Sequence, residues 1–188
     1  MKIFDCFMYF DEEIVLDLRL NTLNEHVDYF VIVESSFTHK GEKRKLMFNH
    51  EKFSKFKNKI IYLTYDEEPK NIEKVLDNDS ESEKSRKYIF NAAYRENGQR
   101  NFISHGLSNA TDNDLILVSD VDEIPNLESC ELDKIQEKII LFKQDMFYYK
   151  FNLKLPALVW AGTKGCKKKR FDKSTMVKKY QRPKISIF

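Results

Sequence analysis

The sequence predicts an α/β domain on a mostly parallel central sheet flanked by helices, and three observations carry that prediction. Phe30-Val31-Ile32-Val33 and Leu115-Ile116-Leu117-Val118 are unbroken apolar runs of strand-forming type. A strand covered on both faces reads this way, whereas a half-exposed strand alternates. Helical patterns separate such runs in the order β-α-β-β-α-β, which suits a layered sheet with crossover connections. The length of 188 residues fits one domain with a sizeable core.

The elements follow in order. Ile3 to Phe10 reads as the first strand. Glu12 to Leu23 reads as an amphipathic helix whose Val15, Leu16, Leu20 and Leu23 cover the sheet. Asp28 to Glu34 is a second buried strand ending in a carboxylate, and Ser35 to Lys45 is a polar, basic loop containing Gly41. Ile60 to Leu63 is a short third strand. Asp66 to Ser85 is acidic and polar, an exposed loop with a helical piece. Lys87 to Leu107 is a long helix, and Asp114 to Ser119 is the next strand. Ile139 to Phe142 and Met146 to Leu155 read as later strands. The long helix places Ile89, Ala93, Glu96, Arg100, Ile103 and Leu107 on one stripe. Glu96 and Arg100 stand i, i+4 in the favourable order, either as a partly buried ion pair or with Glu96 holding Arg100 toward a phosphate.

Composition excludes several classes. Apolar residues make up 41% of the chain, and only 5 Gly and 4 Pro are present, so it is neither linker-rich nor of low complexity. A formal charge of +2 gives no global field for nucleic acid. The basic residues are uneven, however, crowding from Lys164 to Lys184. This divides the chain into a domain over 1–162 and a basic C-terminal tail over 163–188. Such a tail is either solvated or touches an anionic lipid surface, a phosphorylated acceptor or, with Phe171 and Tyr180 among its charges, nucleic acid. Cys6, Cys130 and Cys166 are far apart and lack metal-ligand spacing, which suits a reducing compartment. With no signal segment or apolar span, the expected location is cytoplasmic.

The most informative segment is Ser119-Asp120-Val121-Asp122-Glu123-Ile124-Pro125, at the end of a buried run. In an extended chain, side chains two apart share a side, so Asp120 and Asp122 converge and make a seat for a hard divalent cation. Ligands of open α/β sheets bind beyond the carboxyl ends of the strands. An Asp-x-Asp there suggests a metal-diphosphate site, as in enzymes that use nucleotide-sugars.

The segments together resemble glycosyltransferase family 17. The resemblance rests on Asp5-Cys6-Phe7, Leu18 to Leu23, Val27 to Ser35, Thr38 to Gly41, Gln99-Arg100 and Leu117 to Pro125. It implies a GT-A-like fold, a UDP-sugar donor (UDP-GlcNAc in the known activity), Mn2+ or Mg2+, and inversion at the anomeric carbon. The implied acceptor is a hydroxyl of a glycan or lipid-linked saccharide. The later Gly-Trp-His element usual in the family does not follow Trp160-Ala161-Gly162 here. An inactive UDP-sugar-binding module is therefore the alternative to a working transferase.

Roles follow for single residues. The metal falls to Asp120 and Asp122, with Asp122 in direct contact and Asp120 also near the ribose. Glu34 is placed beside the nucleoside and Arg100 beside the phosphates. An inverting transfer needs a general base. Glu123 is a candidate, or else a structural ligand that orients the turn. Arg19 reaches the diphosphate or forms a salt bridge. Trp160 stacks on a sugar or sits in the core. The four histidines default to surface or capping roles.

Overall fold

The computed structural model describes residues 1–135, 137–150 and 152–172, and the two-residue strand Ser186–Ile187. In chain order the elements are β1 (Ile3–Tyr9), α1 (Glu13–Leu23), β2 (Tyr29–Ser35), β3 (Ile60–Tyr65), α2 (Glu81–Phe102), β4 (Leu115–Ser119), β5 (Ile140–Phe147), β6 (Lys154–Lys167) and β7 (Ser186–Ile187). They form one sheet in the order β3-β2-β1-β4-β6-β5-β7. The pairings β3–β2, β2–β1 and β1–β4 are parallel, while β4–β6 and β6–β5 are antiparallel. The parallel half is the α/β layer that the sequence predicts.

Alternation within the buried runs gives each face its own core. Phe7, Phe30, Ile32, Leu115 and Leu117 point to one face, against Leu16, Leu20 and Leu23 of α1. Phe4, Cys6, Val31, Val33, Ile116 and Val118 point to the other, against Ile103 and Leu107 in the 3-10 turn after α2. Both faces are thus excluded from water, which is why these strands show no polar alternation. Burial pushes the Cys6 thiol well above its ordinary range, and all three cysteines are free.

Three elements differ from the sequence expectation. The long helix starts at Glu81 rather than Lys87, because Ser80 and Glu83 form a reciprocal capping box. Its expected stripe holds only toward the C-terminus: Ile103 is buried, whereas Ile89 is 68% exposed. Arg100 on that stripe is also buried, and off it the helix buries Asn91 and Gln99. Finally, Met146 to Leu155 is not one strand: Met146 and Phe147 end β5, and Lys154 and Leu155 begin β6. β6 runs past Gly162 into residues that the sequence assigns to the basic tail, burying Thr163 and Cys166. Lys173, Lys178, Lys179, Arg182 and Lys184 lie outside the described residues.

Strand order places the functional site. From β1 the chain moves to β2 and β3 on one side, and β4 then joins β1 on the other. The order reverses between β1 and β4, and ligands of such sheets bind in the crevice beyond that point.

Candidate functional site

A cleft of ≈ 750 Å³ opens beyond the carboxyl ends of β1 and β4. Met8 and Tyr9 line it from β1, and Asp120 and Asp122 from the turn after β4. A small hairpin after β2 supplies a lip, with Thr38, His39, Lys40 and Glu42 toward the cleft. The hairpin is closed by the antiparallel bridge Phe37–Lys43 and by Gly41 N–H donating to the Thr38 carbonyl. Gly41 has φ +92°, and a Cβ there would stand 2.3 Å from Nη2 of Arg95. Arg95 supports the lip from beneath, donating to the His39 carbonyl at 3.0 Å and pairing with Glu68.

The acidic turn rests on a buried arginine. Arg19 of α1 is 0% exposed. Its Nε and Nη2 donate to the two carboxylate oxygens of Asp5 at 2.8 and 2.6 Å. Nη2 also donates to Oγ of Ser119. Nη1 donates to the carbonyls of Asp120, Val121 and Glu123 at 3.0–3.1 Å. A buried guanidinium with this many acceptors is satisfied, and it ties down three carbonyls of the turn. Of the two sequence readings for Arg19, the salt bridge is the one that forms.

Glu123 closes the turn from above. Its Oε2 accepts from the Asp120 backbone N–H at 2.9 Å, and its Oε1 accepts from the Trp160 indole N–H at 2.8 Å. Its backbone carbonyl accepts from the Thr163 hydroxyl. The side chain is buried, and a Cβ on Gly162 would meet it at 2.8 Å. This geometry is that of an orienting ligand. Trp160 is half-buried, and its indole N–H is bonded to Glu123.

The two aspartates reach the cleft by a tight turn, not by the extended geometry expected from their spacing. The Glu123 N–H donates to the Asp120 carbonyl at 3.1 Å, and Val121 between the aspartates is buried. Asp120 accepts from Nη2 of Arg100 at 2.8 Å. Arg100 also holds Glu96 at 3.0 Å, the ion pair read from the helix. Burial works against the charge on Arg100, but the charge of Asp120 and hydrogen bonds to Asp120 and Glu96 more than offset it, and its pKa rises. Asp122 is exposed, and no side chain among the described residues takes its carboxylate.

The Glu34 carboxylate, at the end of β2, is 0% exposed. Arg44, the backbone N–H groups of Met47 and Phe48, and the Tyr62 hydroxyl all donate to it, at 2.6–3.1 Å. Four donors occupy its acceptor sites, so its work is to tie the 44–48 segment to the sheet. Burial, then the charge of Glu34, pushes the phenol of Tyr9 in the cleft wall up to about 12. Tyr9 is therefore protonated at neutral pH.

Sequence reasoning gave no site role to the lip residues Lys40 and Glu42 or to Gln99, which donates to the Val33 carbonyl behind the cleft, and left His39 at the surface. Gly41 was the available signal for the lip, since a lone glycine in a polar loop marks a tight turn. Asp5 was legible as a charge inside an apolar strand, which demands a partner.

The donor set can be tested against a divalent cation. Among the described residues, no group of three or more His, Cys, Asp or Glu side chains forms a full cage. Asp122 offers an unshared carboxylate and Asp120 lies beside it on the same cleft, so the protein supplies hard oxygen donors on one side only. That fits Mg2+ or Mn2+, which keep waters and substrate phosphate oxygens in the remaining positions. No helix among the described residues is long and apolar enough to cross a membrane.

Two comparisons with known proteins complete the picture. The family model described as Glycosyltransferase family 17 matches residues 1–183, nearly the whole chain. No curated protein matches it.

Proposed function

We propose a specific reaction for this chain, which belongs to glycosyltransferase family 17 and is a glycosyltransferase. It moves GlcNAc, or a related sugar, from a UDP-sugar to a hydroxyl of a glycan, with inversion, on a GT-A-type fold. One observation carries the reading. An unshared Asp122 carboxylate and an arginine-held Asp120 meet at the β1–β4 reversal of the sheet, beside a cleft of nucleotide-sugar size.

The acceptor oxygen bonds to the anomeric carbon as the bond from that carbon to the diphosphate oxygen breaks, and the hydroxyl proton passes to a base. The difficulty is the negative charge that gathers on the departing UDP. Asp122 and Asp120 would hold the cation, which when bound neutralises that charge as a Lewis acid. Arg100 holds the Asp120 carboxylate at the cleft, and it adds positive charge close to the phosphates. Arg19 and Glu123 act through the turn, as positioning residues. The lip hairpin, with Lys40 and His39 facing the cleft, covers the nucleotide. Tyr9 stays neutral at working pH and so serves as wall rather than base.

The test is release of UDP from UDP-GlcNAc with Mn2+, with Mg2+ and with chelator. Asp122→Asn lowers the metal-dependent rate by about 100-fold or more, the scale of a lost electrostatic stabiliser. Because Asp122 is exposed, the variant keeps its stability to within roughly 0.5 kcal/mol. An unchanged rate in this variant rejects the assignment. Donor binding with no release under any condition points instead to a module that holds UDP-sugar without turning it over.

A further inference from the structure

The register of β6 gives the molecule an arm. Val118, near the end of β4, pairs with Lys164, and Trp160 touches Glu123 of the acidic turn. β6 begins at Lys154, so six residues beyond Trp160 extend past the turn, roughly 20 Å at strand rise. β5 follows it out to Phe147, which pairs with Lys154. This two-stranded ribbon projects from the edge of the sheet that carries the cleft.

The arm is apolar where it should be polar. Phe147, Tyr148, Leu155, Leu158 and Val159 are 39–65% exposed, and Tyr149 at the tip is 92% exposed. Every described residue from Asn152 to Val159 is exposed, so successive side chains on both faces of the ribbon lack cover from the described residues. Tyr149 also has φ +62°, where an aromatic residue costs more than glycine or asparagine. The charges on the arm are Lys143, Lys150 and Lys154 against Asp145 alone, which Lys154 pairs at 2.8 Å.

We propose that the ribbon of residues 143–150 and 152–159 is a membrane-docking arm that inserts its aromatic tip into the interface of an anionic bilayer and thereby turns the cleft toward lipid-linked saccharide acceptors. A flat protein partner covers one face of a ribbon. Apolar side chains on both faces are buried together only in a medium that surrounds them. Tyrosines with flanking lysines are the residues that settle at the headgroup level, with lysine drawn to anionic lipid. The first half of α2 reaches beyond the same edge. Gln99 is level with Val33 near the end of β2, and Tyr88, Ile89 and Phe90 farther out are 46–68% exposed. The acceptor class rests on the transferase reading; the docking itself does not.

The full chain is sedimented with vesicles of phosphatidylcholine alone and of phosphatidylcholine with phosphatidylserine. Binding is expected to the mixed vesicles and to weaken with salt. Tyr148→Ser with Tyr149→Ser lowers the partition coefficient by about tenfold, and Lys150→Glu by at least about fivefold. Tyr149→Trp gains a blue-shifted emission that brominated acyl chains quench. Absence of binding to the mixed vesicles overturns the proposal, as does equal binding by the tyrosine variant. So does a dimer in sedimentation velocity that Leu158→Ser converts to monomer, because the arm then faces a second copy. UDP-GlcNAc titration of the same protein separates the two readings: donor binding without vesicle binding rejects only the arm.

Discussion

Arg19 shows how one side chain converts an acidic stretch into a site. On α1 it occupies the stripe of Leu16, Leu20 and Leu23, a core position, and a charge there is tolerable only with complete partners. Asp5 and the carbonyls of the acidic turn are those partners. Replacing Arg19 by Leu leaves Asp5 buried and alone, which costs about 3–5 kcal/mol. The melting temperature should fall by on the order of 10 °C, and adding Asp5→Leu should restore part of it. Unchanged melting of Arg19→Leu would show that the turn does not depend on this network. The stripe made Arg19 legible as a core position. Its contacts with residues a hundred positions away were not, because they arise from the pairing of β1 with β4.

Among the elements, strands were the most legible, since a buried run leaves few other readings. α2 was the least, because its core-facing residues are polar. Asn91 exchanges hydrogen bonds with the Glu73 backbone, and Gln99 reaches the Val33 carbonyl. A helix held by such specific bonds carries no apolar period to read. Its start was placed too late, at Lys87, although Ser80-Glu81-Ser82-Glu83 has the spacing of a capping box. Ser80→Ala should cost about 1 kcal/mol in chemical unfolding. It should leave UDP release unaltered, because the cap lies far along the helix from Arg100. The β5–β6 hairpin was misread at Met146 to Leu155 because a ribbon exposed on both faces has no polar alternation either.

For the molecule as a whole, sheet order decides where chemistry is possible, and it also ties stability to pH. Asp114, just before β4, accepts from the Lys2 N–H at 2.7 Å and from the Thr111 N–H and hydroxyl. Burial opposes its ionisation, but these donors and the nearby N-terminal amino group more than offset it, and its pKa lies below the usual carboxylate range. A depressed native pKa gives stability that is complete above the unfolded value of about 4 and is lost as the pH falls through the native value. Wild type should therefore lose stability below about pH 4 more steeply than Asp114→Asn, read by urea unfolding across that window. Equal slopes would remove Asp114 from the account.

The central claim is that the Asp120–Asp122 turn holds a cation and, through it, a sugar diphosphate. Calorimetric titration of UDP-GlcNAc with and without Mn2+, on wild type and Asp122→Ala, tests it most directly. The account predicts Mn2+-dependent binding to wild type that the variant loses while its melting temperature holds. Binding that is indifferent to Mn2+, or that survives in Asp122→Ala, would contradict it.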